Sequence, residues 1–311
     1  MKTIGGSSNA DNSRFADCDL RISAKPGARV NRESEFVNPK DGTLLRLIPA
    51  GECIIGSTTE QIIAAAAMDP WGHPDLLACE TPQFVAYLPD YYMGVYPVTN
   101  TQFAQFLSAM HPTPAELALW APALGHIIRP ATGDGAYSVV PGYENHPAVH
   151  VSWAGAEAYC RWAGLRLPTE LEWEKAARGT DGRIFPWGNQ WRDDALRWYG
   201  GNRREGETTA PVDAYPHGCS PYGIFQMVGN VDEWCADWYQ WDVYRRYATG
   251  DLRPPQSGEK RVVRGGTCLR WHRHHFRCAY RRGNDLVLVN IHYTGIRCAA
   301  DAPPTQAGTR H

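Results

Sequence analysis

Three histidines, His272, His274 and His275, fall within four residues near the C-terminus. Imidazole nitrogens suit Zn, Cu, Fe or Ni, so this spacing raises the question of a metal. His272 and His274 would project together only on an extended strand. No carboxylate stands at helical spacing from them, and a solvated loop cluster is the alternative. Nine cysteines include no CxxC pair, which excludes a zinc finger, and a chain this long is no small disulfide scaffold. The stretch 282–294 mixes apolar, aromatic and basic groups, and Leu286–Val289 shows no period-2 alternation. Facing solvent, such a stretch is a partner-binding patch; facing inward, it is a buried strand. Arg and Tyr favour the patch, because each joins contact area to directed hydrogen bonds.

These groups need elements to hold them. Alternation in LLRLIPAGECIIG from Leu44 predicts strands, as do residues 81–87 and 91–96. The run QIIAAAAM predicts a helix broken by Pro70, Gly72 and Pro74. Thr99 or Asn100 is placed to cap a helix through Phe103 and Phe106. Residues 111–148 are punctuated by Pro and Gly and are expected to form an insertion. A helix from Trp153 should stop near Gly164, and Thr169-x-x-Glu172 forms a capping box for the next. Leu171, Trp173 and Ala177 should supply the buried side of that second helix. The run RVVRGG and the block GIRCAAD read as the strands that bracket the last segment.

A 311-residue chain with 43% apolar and 21% charged residues can bury a substantial core. Its 12 Trp, 30 Gly and 23 Pro point to a loop-rich fold held by aromatic packing. A net charge of −2 gives no electrostatic drive toward nucleic acid. No run reaches the roughly 18 apolar residues of a membrane span, and the first twenty residues lack the apolar core of a secretory signal. A cytoplasmic protein is expected, with neither nucleic acid nor membrane as partner. Residues 1–40 read as a polar arm, 41–303 as the domain and 304–311 as a tail.

Five blocks occur in series: VHVSWAGAEAYCRWAGLRLPTELEWEKAARG, FPWGN, VGNVDEW, RVVRGGT and GIRCAAD. Together they resemble the formylglycine-generating enzyme (sulfatase-modifying factor) domain over about residues 44–303. The resemblance implies an α+β, C-type-lectin-like fold of the formylglycine-generating-enzyme type. It also implies where copper would bind, through two cysteines after the Gly-Gly pair. Counted from Gly265-Gly266-Thr267, those positions are Arg270 and His275; counted back from Arg277-Cys278-Ala279-Tyr280-Arg281, they are Cys268 and Arg273. Two soft thiolates are needed for Cu(I), so no copper is expected, nor enzyme activity of that type. For calcium, the resemblance implies Gln226, Gly229, Val231 and Glu233 as ligands. It also matches Cys160 with Cys298, expected as thiols in a reducing compartment.

Within the same fold, the chain is similar to variable proteins of diversity-generating retroelements. Their adenine-directed mutagenesis produces NNY codons, which exclude Lys, Glu, Gln, Met and Trp. From Cys268 to Thr294 only Trp271 violates that rule in 27 residues, although the other four types number 34 in the chain. The similarity implies a non-enzymatic protein whose segment 268–294 binds a protein or other macromolecule. Arg270, His272, His274, Arg282, Asp285, Leu286, Leu288, His292 and Tyr293 are the expected contact residues, largely exposed on one face. The alternative is an oxidase of the formylglycine-generating or another metal-dependent kind, with altered ligands.

Overall fold

The computed structural model describes residues 34–302 except 70–71, 133–134, 202–207 and 286–292. Within them the strands are β1 (Glu35–Val37), β2 (Leu44–Ile48), β3 (Gly51–Ile55), β4 (Phe84–Leu88), β5 (Tyr91–Gly94) and β6 (Ile127–Ile128). They continue as β7 (Ser138–Val139), β8 (Asp232–Trp238), β9 (Lys260–Arg264), β10 (Arg281–Asp285), β11 (Thr294–Gly295) and β12 (Ala299–Asp301). The helices are α1 (Thr59–Ala66), α2 (Pro74–Leu77), α3 (Asn100–Met110), α4 (Pro114–Trp120), α5 (Trp153–Ala163), α6 (Glu170–Arg178) and α7 (Val243–Tyr247).

One four-stranded sheet has the order β1-β2-β5-β12, so the two ends of the domain meet in it. The second has the order β10-β9-β8-β11, antiparallel except for the parallel β8–β11 pair. The pairing of Glu35–Val37 with Leu44–Arg46 moves the domain's start ahead of the expected boundary at 41. Asn38 is tied in as well, donating to the Ala163 carbonyl at 3.0 Å.

The helices begin where side chains satisfy their free N–H groups. Thr99 accepts from Gln102 N at 3.2 Å, and Gln102 answers Thr99 N at 2.9 Å. Ser152 opens α5 by accepting from Gly155 N alone, and Gly164 closes it at φ +72°, a conformation costly for a residue with a Cβ. Thr113, Glu116 and Pro114 cap α4, so the expected insertion builds a helix and the β6–β7 ribbon of its own.

The helix α6 departs most from its hydropathy pattern: all nine residues are buried, charged ones included. Leu171, Trp173 and Ala177 meet core as expected. The opposite face is neutralised instead. Glu170 takes two bonds from Arg281 at 2.7 and 2.8 Å, and Glu174 binds Arg178 at 3.0 Å and also Arg264. Lys175 donates to the Pro49 and Gly51 carbonyls. Buried charges of this kind persist only when paired. Through Arg264 and Arg281, α6 fixes the strands β9 and β10.

Candidate functional site

Neighbouring residues of a strand point to opposite faces, and β10 divides its two arginines accordingly. Arg281 turns inward to Glu170, while Arg282 reaches Asp232 on the other side. Asp232 is buried and also accepts from Gly266 N at 2.9 Å. Gly266 sits at φ +74°, and a Cβ there would meet the His275 carbonyl at 2.9 Å. The glycine therefore lets the far end of the 267–276 loop pack back against its start. That loop is pinned by Cys268 N to the Asn230 carbonyl (2.9 Å) and by Tyr199 N to the Arg270 carbonyl (3.2 Å).

Between this loop and β10 lies an open cleft of about 450 Å³. Arg270, Arg282, Asp285 and Tyr293 line it, together with Asp232 and Lys260. Lys260 Nζ lies 3.5 Å from Asp285 Oδ1, across the β9–β10 pair. Just outside the cleft, Trp271 is 60% exposed and packs on Tyr199 with ring centres 3.4 Å apart.

The expected binding face is partly corrected. Arg270, Arg282, Asp285 and Tyr293 are half-buried, as befits cleft walls, and His272 is half-buried away from the cleft. His274 is buried, because its Nδ1 is drawn to Asp69 at 2.6 Å; His272 Nδ1 lies 3.0 Å from the same carboxylate. Leu286, Leu288 and His292 lie outside the described residues. Exposure falls instead on Leu269, Trp271 and Arg273.

Asp69 answers the question of the histidine cluster. A carboxylate distant in sequence holds two imidazoles by their Nδ1 atoms. Among the described residues no group of three or more His, Cys, Asp or Glu side chains is placed to hold a metal. Burial pushes the His274 imidazole below its usual pKa, against the pull of Asp69. His275 is pushed down to about 2 by burial first, then by His274 and Arg270.

The residues expected around calcium do not fit a cation. Glu233 is buried with Arg297 across both oxygens, at 2.7 and 2.8 Å, and Trp173 Nε1 at 2.7 Å. Gln226 spends its amide on the Pro211 and Ala214 carbonyls and its oxygen on Asn230. The Glu233 carboxylate is thus already neutralised by a guanidinium. Nor do Arg270 and His275, or Cys268 and Arg273, make the thiolate pair that copper asks for. Cys160 and Cys298 do meet, as buried thiols with Sγ atoms 3.6 Å apart.

Sequence reasoning missed Asp69, Asp232 and Lys260. Asp69 gave no local sign, standing 205 residues from His274. Asp232 could have been found: it precedes Glu233 on a strand, so it must face away from the Glu233–Arg297 pair.

The model of the sulfatase-modifying factor enzyme 1-like domain matches residues 33–302. The chain belongs to this family. The mouse formylglycine-generating enzyme is 35% identical over 269 residues, 73% of this chain and 70% of that protein. The serine/threonine-protein kinase Pkn1 of Chlamydia trachomatis is 36% identical over 252 residues, and the chain spans only 38% of its length. Among solved structures, PvdO from Pseudomonas aeruginosa superposes with TM-score 0.64 at 21% identity, covering 90% of this chain and all of that one. Treponema denticola variable protein 1 superposes with TM-score 0.58 at 20% identity, covering 86% and 98%. The α+β, C-type-lectin-like fold is that of the family. Among the described residues no helix is long and apolar enough to cross a membrane.

Proposed function

We propose that this member of the family is a non-enzymatic binding protein, whose partner, a protein or other macromolecule, docks at the 268–285 cleft. One observation carries the reading: the C-terminal segment gathers Arg270, Arg282, Asp285 and Tyr293 around a single cleft. Exposed Leu269 and Trp271 at its edge supply apolar contact of the type that anchors interfaces. The missing thiol pair supports it further. Diversification of codons 268–294 belongs to the same proposal, and a near-copy differing at adenines beside a reverse transcriptase gene would support it. The oxidase alternative draws on the names of the curated relatives, and the residues at the copper positions speak against it.

Panning a random-peptide display library on the full chain tests this reading. A variant with alanine at Arg270, Asp285 and Tyr293 serves as the control, with its melting temperature measured in parallel. Enriched peptides should bind the variant at least tenfold more weakly, while its melting temperature stays within a few degrees. An empty selection, or ligands indifferent to the variant, would overturn the proposal. So would conversion of a sulfatase-type cysteine peptide to its aldehyde by the copper-supplemented chain.

A further inference from the structure

The charges lining the cleft do not cancel. Lys260, Arg270 and Arg282 face Asp232 and Asp285. Asp232 is consumed by Arg282 and by Gly266 N, and Asp285 lies beside Lys260. Arg270 is left over: its main chain is bonded on both sides, yet its guanidinium has no hydrogen-bond or ion-pair partner among the described residues. A half-buried guanidinium without a counter-charge loses solvation and gains nothing in return. Three cationic side chains thus line the cleft against two carboxylates, one negative charge short of neutrality among the described residues. Thr267, Asn284, Tyr293 and the apolar Leu269 complete the lining. That is a setting for one anionic group on an otherwise uncharged ligand, and guanidinium geometry suits a carboxylate.

We infer that the cleft recognises an acidic side chain of a peptide or protein partner, its carboxylate seated on Arg270 beside Arg282. This rests on the binding reading above and adds the ligand's chemistry to it. The Arg282–Asp232 pair holds the cleft wall, and Arg270 supplies the selectivity. Because the Arg270 side chain makes no bond among the described residues, replacing it should leave the cleft intact.

Two measurements test this apart from binding as such. Peptides recovered on the full chain are resynthesised with each Asp or Glu changed to Asn or Gln. One such change should weaken binding at least tenfold for the native chain and less than twofold for Arg270→Ala. Arg270→Glu should instead prefer the same peptide carrying Lys at that position. Separately, amide NMR spectra of the native chain are titrated with N-acetylglutamate N-methylamide and with its glutamine counterpart. Shifts in 267–271 and 281–285 should follow the glutamate compound alone. Recovered ligands without an essential acid, or equal shifts from both compounds, would overturn the charge preference while leaving a binding cleft. Inorganic phosphate shifting these amides more strongly than the glutamate compound would overturn it in favour of a phosphorylated ligand. An empty selection together with a silent titration would overturn both.

Discussion

At Glu233, a carboxylate expected to hold calcium holds Arg297 and the Trp173 indole instead. Removing one member of a buried pair leaves the other charge stranded, at about 3–5 kcal/mol. Glu233→Ala should therefore lower stability by that order in calcium and in chelator alike, as urea unfolding will show. A loss confined to the calcium sample would restore the metal reading. His275 offers a pH counterpart. Its pKa in the fold is depressed to about 2, chiefly by burial, so below the ordinary imidazole value of 6.5 the unfolded chain binds a proton that the folded chain refuses. Stability attributable to this residue is complete above pH 6.5 and falls as pH drops below it, by up to about 1.4 kcal/mol per pH unit. His275→Asn should flatten the stability profile between pH 6.5 and 4.5; an unchanged slope would show that the imidazole titrates freely.

Among the elements, α6 separates what its sequence disclosed from what it hid. Thr169-x-x-Glu172 marked its start, and the cap is present with Glu172 N to Thr169 Oγ1 at 3.2 Å and Thr169 N to Glu172 at 2.8 Å. Thr169→Ala should cost ~1 kcal/mol in thermal or urea unfolding. Glu174→Gln should cost several times more, about 3–5 kcal/mol, since Arg178 and Arg264 both depend on that carboxylate. Equal losses for the two variants would mean that the buried network contributes little. Hydropathy identified Leu171, Trp173 and Ala177, because local periodicity reports on one face. It had no means of identifying the other face as buried, because the partners stand 90 residues away at Arg264 and 111 at Arg281. The Asp69 link to His272 and His274 stayed hidden for the same reason. Motif order, by contrast, was visible in the chain itself, and RVVRGG and GIRCAAD form strands on either side of the cleft segment.

Across the described domain, β12 pairs with β5 and β5 with β2, so its last strand closes the sheet that its first strands open. The closure brackets the C-terminal segment between two fixed strands, and the proposed recognition falls to its loop positions. Of the positions expected to make contact, Arg270, Arg282, Asp285 and Tyr293 come together, while His274 serves the Asp69 link. Sequence could nominate the segment, but only packing decides which of its side chains face the cleft. Amide hydrogen exchange of the full chain, with and without a peptide recovered on it, tests the central claim most directly. The account predicts slowed exchange concentrated in 267–272 and 281–285, with the rest of the domain unchanged. Protection centred elsewhere, for example along the cavity lined by Gly42, Tyr96 and Gln102, would contradict it.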